Sequence, residues 1–251
     1  MVINYDEFLS SWELQQSALI EMREERFSFM MDVIEETHPE VNRILDAGCG
    51  PASFTVRLAR RFKDARIYSI DYDPVLLALA KSNASIYGSR VKILEYDLKG
   101  NAWAKDLADE GFDAIVSTTA LHWIPRNNLS NVYENFYKLL KDGGIFMDGD
   151  HFRSNSDSVY LHEMYSKIRN KISALNISRE KAMNWEEWWE YILNSGVFRE
   201  ELMERSKRYL SGSHDQNVSL EEHIDILNHA GFSSTGVIWQ YLDNRVLFSR
   251  K

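Results

Sequence analysis

The chain has 251 residues, with 38 acidic against 29 basic side chains and a formal net charge of −9. That balance argues against a protein that wraps nucleic acid, because such proteins neutralise phosphates with clustered Lys and Arg. Cys49 is the only cysteine, which excludes an internal disulfide and a multi-cysteine zinc site and points to a reducing, cytoplasmic setting. Charges such as Asp6, Glu7, Glu13 and Arg23 interrupt the first thirty residues, so no signal peptide is expected. No apolar run approaches the ~20 residues of a bilayer span, and a soluble protein without a membrane partner is expected.

Leu14, Ala18, Met22, Phe29, Met30 and Ile34 form an apolar stripe that predicts one helix over 13–37. His38-Pro39 ends it, because the residue before proline is pushed out of the α region. From Arg43, apolar runs at 43–47, 66–71, 91–97, 112–117 and 144–149 read as strands. Helical segments lie between them at 52–63, 74–87, 101–108 and 128–141. The last places Leu129, Val132, Phe136, Leu139 and Leu140 on one face and is expected to stop at Gly143-Gly144. This alternation predicts a parallel sheet with helices on both faces. Residues 151–213 interrupt it with a helical insertion carrying Trp185, Trp188, Trp189 and Tyr191. A helix at 220–229 and strands at 233–240 and 244–250 follow, and the short link 241–243 makes those strands an antiparallel hairpin.

The strongest local signal is Ile44–Ser53, ILDAGCGPAS, in which a short apolar strand runs into a helix. Gly48 and Gly50 permit a tight turn and close backbone approach to a ligand, and the helix start offers unpaired N–H groups to an anionic group. Taken alone, the glycine pair is also compatible with a plain strand-to-helix turn. Asp71 ends the next strand 21 residues after Gly50, where a carboxylate can accept two hydrogen bonds from a ribose diol. Asp97 ends the third strand, so Asp46, Asp71 and Asp97 all fall near strand C-termini, where open α/β sheets bind ligands.

The motifs LDAGCGPASFT (45–55), YSIDYDP (68–74), EYDL (95–98), FDAIVSTTALHW (112–123), LLKDGGIFMDGD (139–150) and AGF (230–232) resemble the class I S-adenosylmethionine-dependent methyltransferases. The resemblance covers 43–150 and 219–251. It implies an α/β, Rossmann-like fold with a seven-stranded, mostly parallel sheet in the order 3-2-1-4-5-7-6, the last strand antiparallel. An N-terminal helical cap would occupy 1–42, and a helical substrate lid over 151–218 would be inserted after the fifth strand. The implied cofactor is S-adenosylmethionine, with Asp46 and Gly48 by the methionine amine and Gly50 by the cofactor backbone. Asp71 would meet the ribose hydroxyls, Tyr72 would pack on adenine, Asp97 would meet the adenine amino group and the Leu98 N–H a ring nitrogen. Thr118 would supply a carbonyl near the methionine end. Ala52 stands where the family frequently has a third glycine. Tyr5 and Trp12 fall where family members close over the cofactor.

The stretch Ala120–Pro125, ALHWIP, resembles a small-molecule branch that includes trans-aconitate, juvenile hormone acid and malonyl-carrier-protein methyltransferases. O-methylation of a carboxylate or hydroxyl is the implied reaction, with N-methylation as an alternative. A carboxylate acceptor needs no base, whereas a phenol or ammonium does. His122 and His151 follow the fourth and fifth strands and are the candidate bases, since imidazole titrates near pH ~6.5; each is also readable as a packing residue or as a hydrogen-bonding contact to substrate. Arg126 and Arg153 are candidates to pair with a substrate carboxylate, or are solvated loop residues. Trp123, Trp185, Trp188 and Trp189 are candidates to line an apolar pocket, although the last three also have helix-packing spacing. No metal is expected. Two other readings remain at this point: a non-catalytic cofactor- or partner-binding member, and a nucleotide-dependent dehydrogenase using Tyr137 and Lys141. The second is disfavoured by Ser53 where a dinucleotide turn needs glycine. The sequence leaves the oligomeric state open.

Overall fold

A computed structural model describes residues 4–209 and 218–251; residues 210–217 of the expected 151–218 lid lie outside the described residues. Two helices, α1 (Asp6–Leu19) and α2 (Arg23–Thr37), replace the single helix expected over 13–37. The chain breaks at Met22, which takes a left-handed φ of 54°. The corner is pinned from outside, because the Glu21 carbonyl accepts a hydrogen bond from Asn244 Nδ2 at 2.6 Å. A tertiary bond of that kind leaves no mark on helical periodicity.

The expected alternation follows as β1 (Arg43–Ala47), α3 (Ser53–Arg61), β2 (Arg66–Asp71), α4 (Pro74–Asn83), β3 (Val91–Glu95), α5 (Ala102–Asp106), β4 (Phe112–Thr118), α6 (Arg126–Leu139) and β5 (Leu140–His151). The insertion supplies α7 (Val159–Glu180), α8 (Trp185–Asn194) and α9 (Arg199–Arg208), and α10 (Leu220–His229), β6 (Ser233–Tyr241) and β7 (Asn244–Arg250) close the chain. The sheet order is β3-β2-β1-β4-β5-β7-β6, with β7 antiparallel to both its neighbours. One boundary differs from expectation in an informative way. Gly143-Gly144 does not stop a helix; α6 ends at Leu139, and Leu140 already pairs with Phe112. The β4–β5 register shifts just beyond that pair, Gly143 has φ +80°, and a Cβ on Gly144 would lie 2.9 Å from the Lys141 carbonyl. The glycines therefore make an irregular, bulge-like entry into the strand.

Strand residues alternate between two apolar layers, as expected for a sheet covered on both faces. Leu45, Tyr68, Ile115 and Phe146 pack with Trp103 of α5, Phe136 of α6 and Ile226 of α10. Their neighbours Ile44, Ile67, Val116 and Met147 pack with Met30 and Ile34 of α2 and with Phe54 and Leu58 of α3. A third cluster sits beyond the strand C-termini. Phe8 and Trp12 of α1, Leu76 and Leu79 of α4, Trp188 and Ile192 of α8, and Phe198 are all buried together. The first helix and the insertion thus share one apolar seam and form a common roof. Among the described residues no helix is long and apolar enough to cross a membrane.

Candidate active site

The floor of the site is the β1–α3 turn. Gly48 and Gly50 have φ of +79° and +54°. A Cβ on Gly48 would lie 2.3 Å from Ala120 Cβ, so only glycine lets this turn lie directly against the loop after β4. That contact brings Thr118–Trp123 alongside the turn. On Gly50 a Cβ would meet nothing closer than Trp12, at 3.9 Å, and this side opens into the cleft. Ala52 itself adopts a left-handed φ of 67°, a conformation costing a residue with a Cβ about 1 kcal/mol.

Asp71, at the end of β2, is fastened to the turn. Its Oδ2 accepts from Gly50 N–H at 2.7 Å, and its Oδ1 from Tyr72 and Asp73 N–H at 2.7 and 2.9 Å. Burial pushes its pKa up to about 6, helped by the Asp73 charge and opposed by these amides. A carboxylate has about four acceptor positions, so Asp71 keeps one, on Oδ2, rather than the two a diol would fill. Asp46 lies beneath the cleft rather than on its wall. Its Oδ2 accepts from Thr55 Oγ1 at 2.6 Å, while its Oδ1 is buried with no hydrogen-bond partner. Burial raises its pKa to about 7.

A cleft of about 780 Å³ opens above this floor. Of the residues singled out by sequence, Gly48, Gly50, Asp71, Tyr72, Asp97, Leu98, Thr118, His122, Trp123, Trp185 and Trp189 line it, as does Trp12 from the first helix. Strand β3 ends at Glu95, so Asp97 lies in the loop beyond it, where its Oδ1 accepts from Lys99 N–H at 2.9 Å. Five expected residues do not line the cleft. Asp46 is one; the other four have identifiable engagements elsewhere. The His151 ring Nε2 faces Glu21 at 3.0 Å, at the α1–α2 corner. Arg126 is exposed and pairs with Glu222 at 2.9 Å. Arg153 is exposed, and its carbonyl accepts from Leu220 N–H at 2.8 Å. Trp188 is fully buried in the roof, edge-on to Trp12 at 4.8 Å, and donates from Nε1 to Ser11 Oγ at 3.1 Å. Tyr5 meets Phe198 in the same roof at 5.6 Å.

The loop after β4, alongside the glycine turn, forms a dyad with β5. His122 Nδ1 lies 2.7 Å from Asp150 Oδ2, and Asp150 is buried. Burial opposes ionisation of Asp150, but the charge and hydrogen bond of His122, together with His151 and Arg26, outweigh it and hold the carboxyl below its usual range. Asp148 is buried without a hydrogen-bond partner, and burial plus the nearby Asp150 push it well up. An ionised Asp150 can only accept, so Nδ1 is the ring nitrogen that donates to it.

Sequence reasoning missed the groups that close the cleft. Arg205 of α9 donates from Nε to Asp73 Oδ2 at 2.6 Å, with its guanidinium 3.8 Å from the Trp189 ring centre. Arg208 donates to the Tyr72 carbonyl at 2.7 Å and to Glu95 at 2.6 Å, and lies 4.5 Å over the Tyr72 ring. Arg23, buried beside the turn, is held by Glu13 at 2.9 Å. A basic helix end is an ordinary solvated feature, and nothing local in the sequence ties α9 to a loop more than a hundred residues away. Asp150 had a signal: strand side chains alternate, which separates Asp150 from His151 and sends the two residues to different partners.

Residues 44–144 match the family described as a methyltransferase domain. The chain is 26% identical over 123 residues to a carboxy-S-adenosyl-L-methionine synthase of Campylobacter lari, covering 49% of this chain and 50% of that protein. It is 31% identical over 108 residues to a trans-aconitate 2-methyltransferase of Variovorax paradoxus, covering 43% and 38%. Both matches thus span half or less of the relative's length. A solved structure described as a putative S-adenosyl-L-methionine-dependent methyltransferase of Methanococcus maripaludis shares the fold, with a TM-score of 0.57, 18% identity and coverage of 100% and 97%. Residues 44–144 thus match a methyltransferase domain, and the glycine turn and the sheet order are those of the fold shared with that solved structure.

Proposed function

We propose that the chain methylates a small-molecule acceptor, at oxygen in the first instance and at nitrogen as the alternative, with His122 as general base and Asp150 as its positioning residue. The observation that carries this reading is that His122, backed by Asp150 at 2.7 Å, lines the same cleft as Gly50 and Asp71.

The residues present fit the cofactor. Asp46 Oδ1 is a buried acceptor without a partner, Asp71 has one acceptor position left, and Gly50 presents bare backbone to the cleft. On this reading Asp46 and Gly48 serve the methionine amine, the second through the turn it shapes. Asp71 holds a ribose hydroxyl, and Tyr72, Asp97 and Leu98 surround adenine. Thr118 stands at the methionine end. The bound cofactor supplies an already activated sulfonium methyl, so the protein's task is alignment and proton management. His122 Nε2 takes the acceptor's proton, and Asp150 stabilises the imidazolium that results. The roof of α1, α8 and α9 keeps water out while acceptor and methyl are held in line. His151, Arg126, Arg153 and Trp188 have no part in this mechanism, since none of them lines the cleft.

The test uses the full chain, labelled S-adenosylmethionine and a panel of hydroxyl, carboxylate and amine acceptors. His122→Ala should lower turnover roughly 10²–10⁴-fold, the usual contribution of a positioned base, with cofactor affinity unchanged by calorimetry. Asp150→Asn should lower kcat in the same direction with little change in KM. Wild-type turnover in His122→Ala would remove the base from the mechanism.

A further inference from the structure

The geometry points to a neutral aromatic hydroxyl, a phenol-type compound, as the acceptor, and to a cleft that discriminates against free carboxylates. This inference rests on the methyl-transfer reading above and narrows it.

The charges around the cleft carry the first argument. Among the described residues, the Lys and Arg side chains that line it are Arg23, Lys99, Arg205 and Arg208, and each faces a carboxylate of this chain. Arg23 meets Glu13 at 2.9 Å, Lys99 meets Asp97 at 3.5 Å, Arg205 meets Asp73 at 2.6 Å and Arg208 meets Glu95 at 2.6 Å. Arg126 and Arg153, the arginines suited by sequence to an anionic substrate, lie off the cleft. A carboxylate acceptor would have to displace one of these internal partners or be desolvated without a counter-charge, and both are costly. An ammonium is no better served. Asp71 holds three backbone amides and its remaining acceptor position is assigned above to the ribose, while Asp73 is taken by Arg205 and Asp97 by Lys99; Glu186, at the rim, is exposed to solvent.

The second argument is the dyad. A carboxylate is ionised at neutral pH and has no proton to surrender, so an Asp-backed imidazole facing it would do no chemistry. A phenol, with a pKa near ~10, keeps its proton at neutral pH and needs a base. The step balances within the site. The phenol O–H proton passes to His122 Nε2, an oxygen lone pair forms the new O–CH₃ bond, and the electrons of the breaking C–S bond remain on sulfur. The imidazolium then returns its proton to solvent. Shape agrees with chemistry, because Trp123 is 40% exposed although large and apolar, and its ring centre lies 4.7 Å from that of His122. A flat ring stacked on Trp123 presents a substituent to the imidazole, with Trp185 and Trp189 closing the cleft above.

A matched trio tests this: compounds sharing one aromatic ring system and bearing a hydroxyl, a carboxylate or an aminomethyl group. Binding to the full chain, saturated with the demethylated product cofactor, is read from quenching of tryptophan fluorescence. Transfer is read from labelled S-adenosylmethionine. The hydroxyl compound should bind at least about tenfold more tightly than the carboxylate, the scale expected when a charged group is left unpaired, and should be the one methylated. Trp123→Ala should raise its KM more than it lowers kcat. Carboxylate binding as tight as the hydroxyl's, or methyl ester or methylamine as the main product, overturns the acceptor class while leaving methyl transfer intact. Failure of the cofactor itself to bind in calorimetry defeats the methyl-transfer reading instead.

Discussion

Asp71 is a structural clamp that still keeps an acceptor position beside the cleft. Three backbone amides fix it against Gly50, yet burial still raises its pKa to about 6. Protonation removes the charged acceptor, so cofactor affinity measured by calorimetry should fall as pH drops through about 6. Asp71→Asn should weaken binding by about 1.5–3 kcal/mol, the worth of a charge-assisted hydrogen bond, and should flatten that pH dependence. Affinity that ignores both changes would remove Asp71 from the site. The position of Asp71 on the cleft was legible in the sequence, because it ends the strand after the glycine turn, on the ligand-facing edge of a parallel sheet. The position of His122, in the loop after β4, was legible for the same reason. Arg126 and Arg153 lie off the cleft, because an arginine close in sequence to a cleft motif reaches equally well to Glu222 or to solvent, and sequence distance does not say which. The value of Asp150 emerged only with its partner, since a 2.7 Å contact across 28 residues of sequence depends on register between β4 and β5.

The sheet elements were readable because each strand and helix buries a face whose period is written locally. β1, β2, α10 and β7 fall at the residues where alternation and apolar runs place them. The departures have non-local causes: the α1–α2 break is set by a bond to Asn244, and the glycine pair before β5 serves a register shift rather than a helix stop. The roof is the least legible part, because α9 is held by ion pairs to α4's N-cap residue and to β3 instead of by an apolar stripe of its own. That attachment has a kinetic consequence. Arg205 joins α9 to Asp73 and covers Trp189, so Arg205→Gln should loosen the flap over Tyr72 and Asp71. Product-cofactor release, followed by stopped-flow tryptophan fluorescence, should accelerate roughly tenfold, in keeping with loss of one charged hydrogen bond. The unfolding midpoint should move little, because Asp73 keeps its capping bonds to the Val75 and Leu76 amides. An unchanged release rate would mean that α9 plays no part in holding the cofactor.

At the scale of the whole molecule, Asp46 beneath the cleft and buried His223 pull the pH response of folding in opposite directions; burial lowers the His223 pKa to about 4, so its share of stability rises with pH up to ~6.5. Asp46 is buried, keeps one oxygen without a partner and has its pKa raised to about 7, against ~3.9 for an unfolded aspartate. Between those values the unfolded chain has released a proton that the folded chain retains. The Asp46 contribution to stability therefore falls as pH rises from about 4 to about 7 and levels off above, by up to a few kcal/mol on the linkage scale of ~1.4 kcal/mol per pKa unit. Asp71 acts in the same direction up to about pH 6. Glu13 and Glu221, held at about 2, act oppositely, but their contribution is complete above the unfolded glutamate value of ~4.3 and does not enter this window. Thermal unfolding between pH 5 and 8 should thus show the wild-type midpoint falling relative to that of Asp46→Asn as pH rises to about 7. Thr55 Oγ1 can still donate to the amide oxygen in that variant, so its fold should persist. Saturating cofactor should flatten the wild-type curve, because a cationic amine beside Asp46 favours the ionised form that burial penalises. Parallel curves for the two proteins without ligand would show that Asp46 does not titrate in this range. A wild-type curve unchanged by cofactor would separate Asp46 from the amine it is proposed to serve.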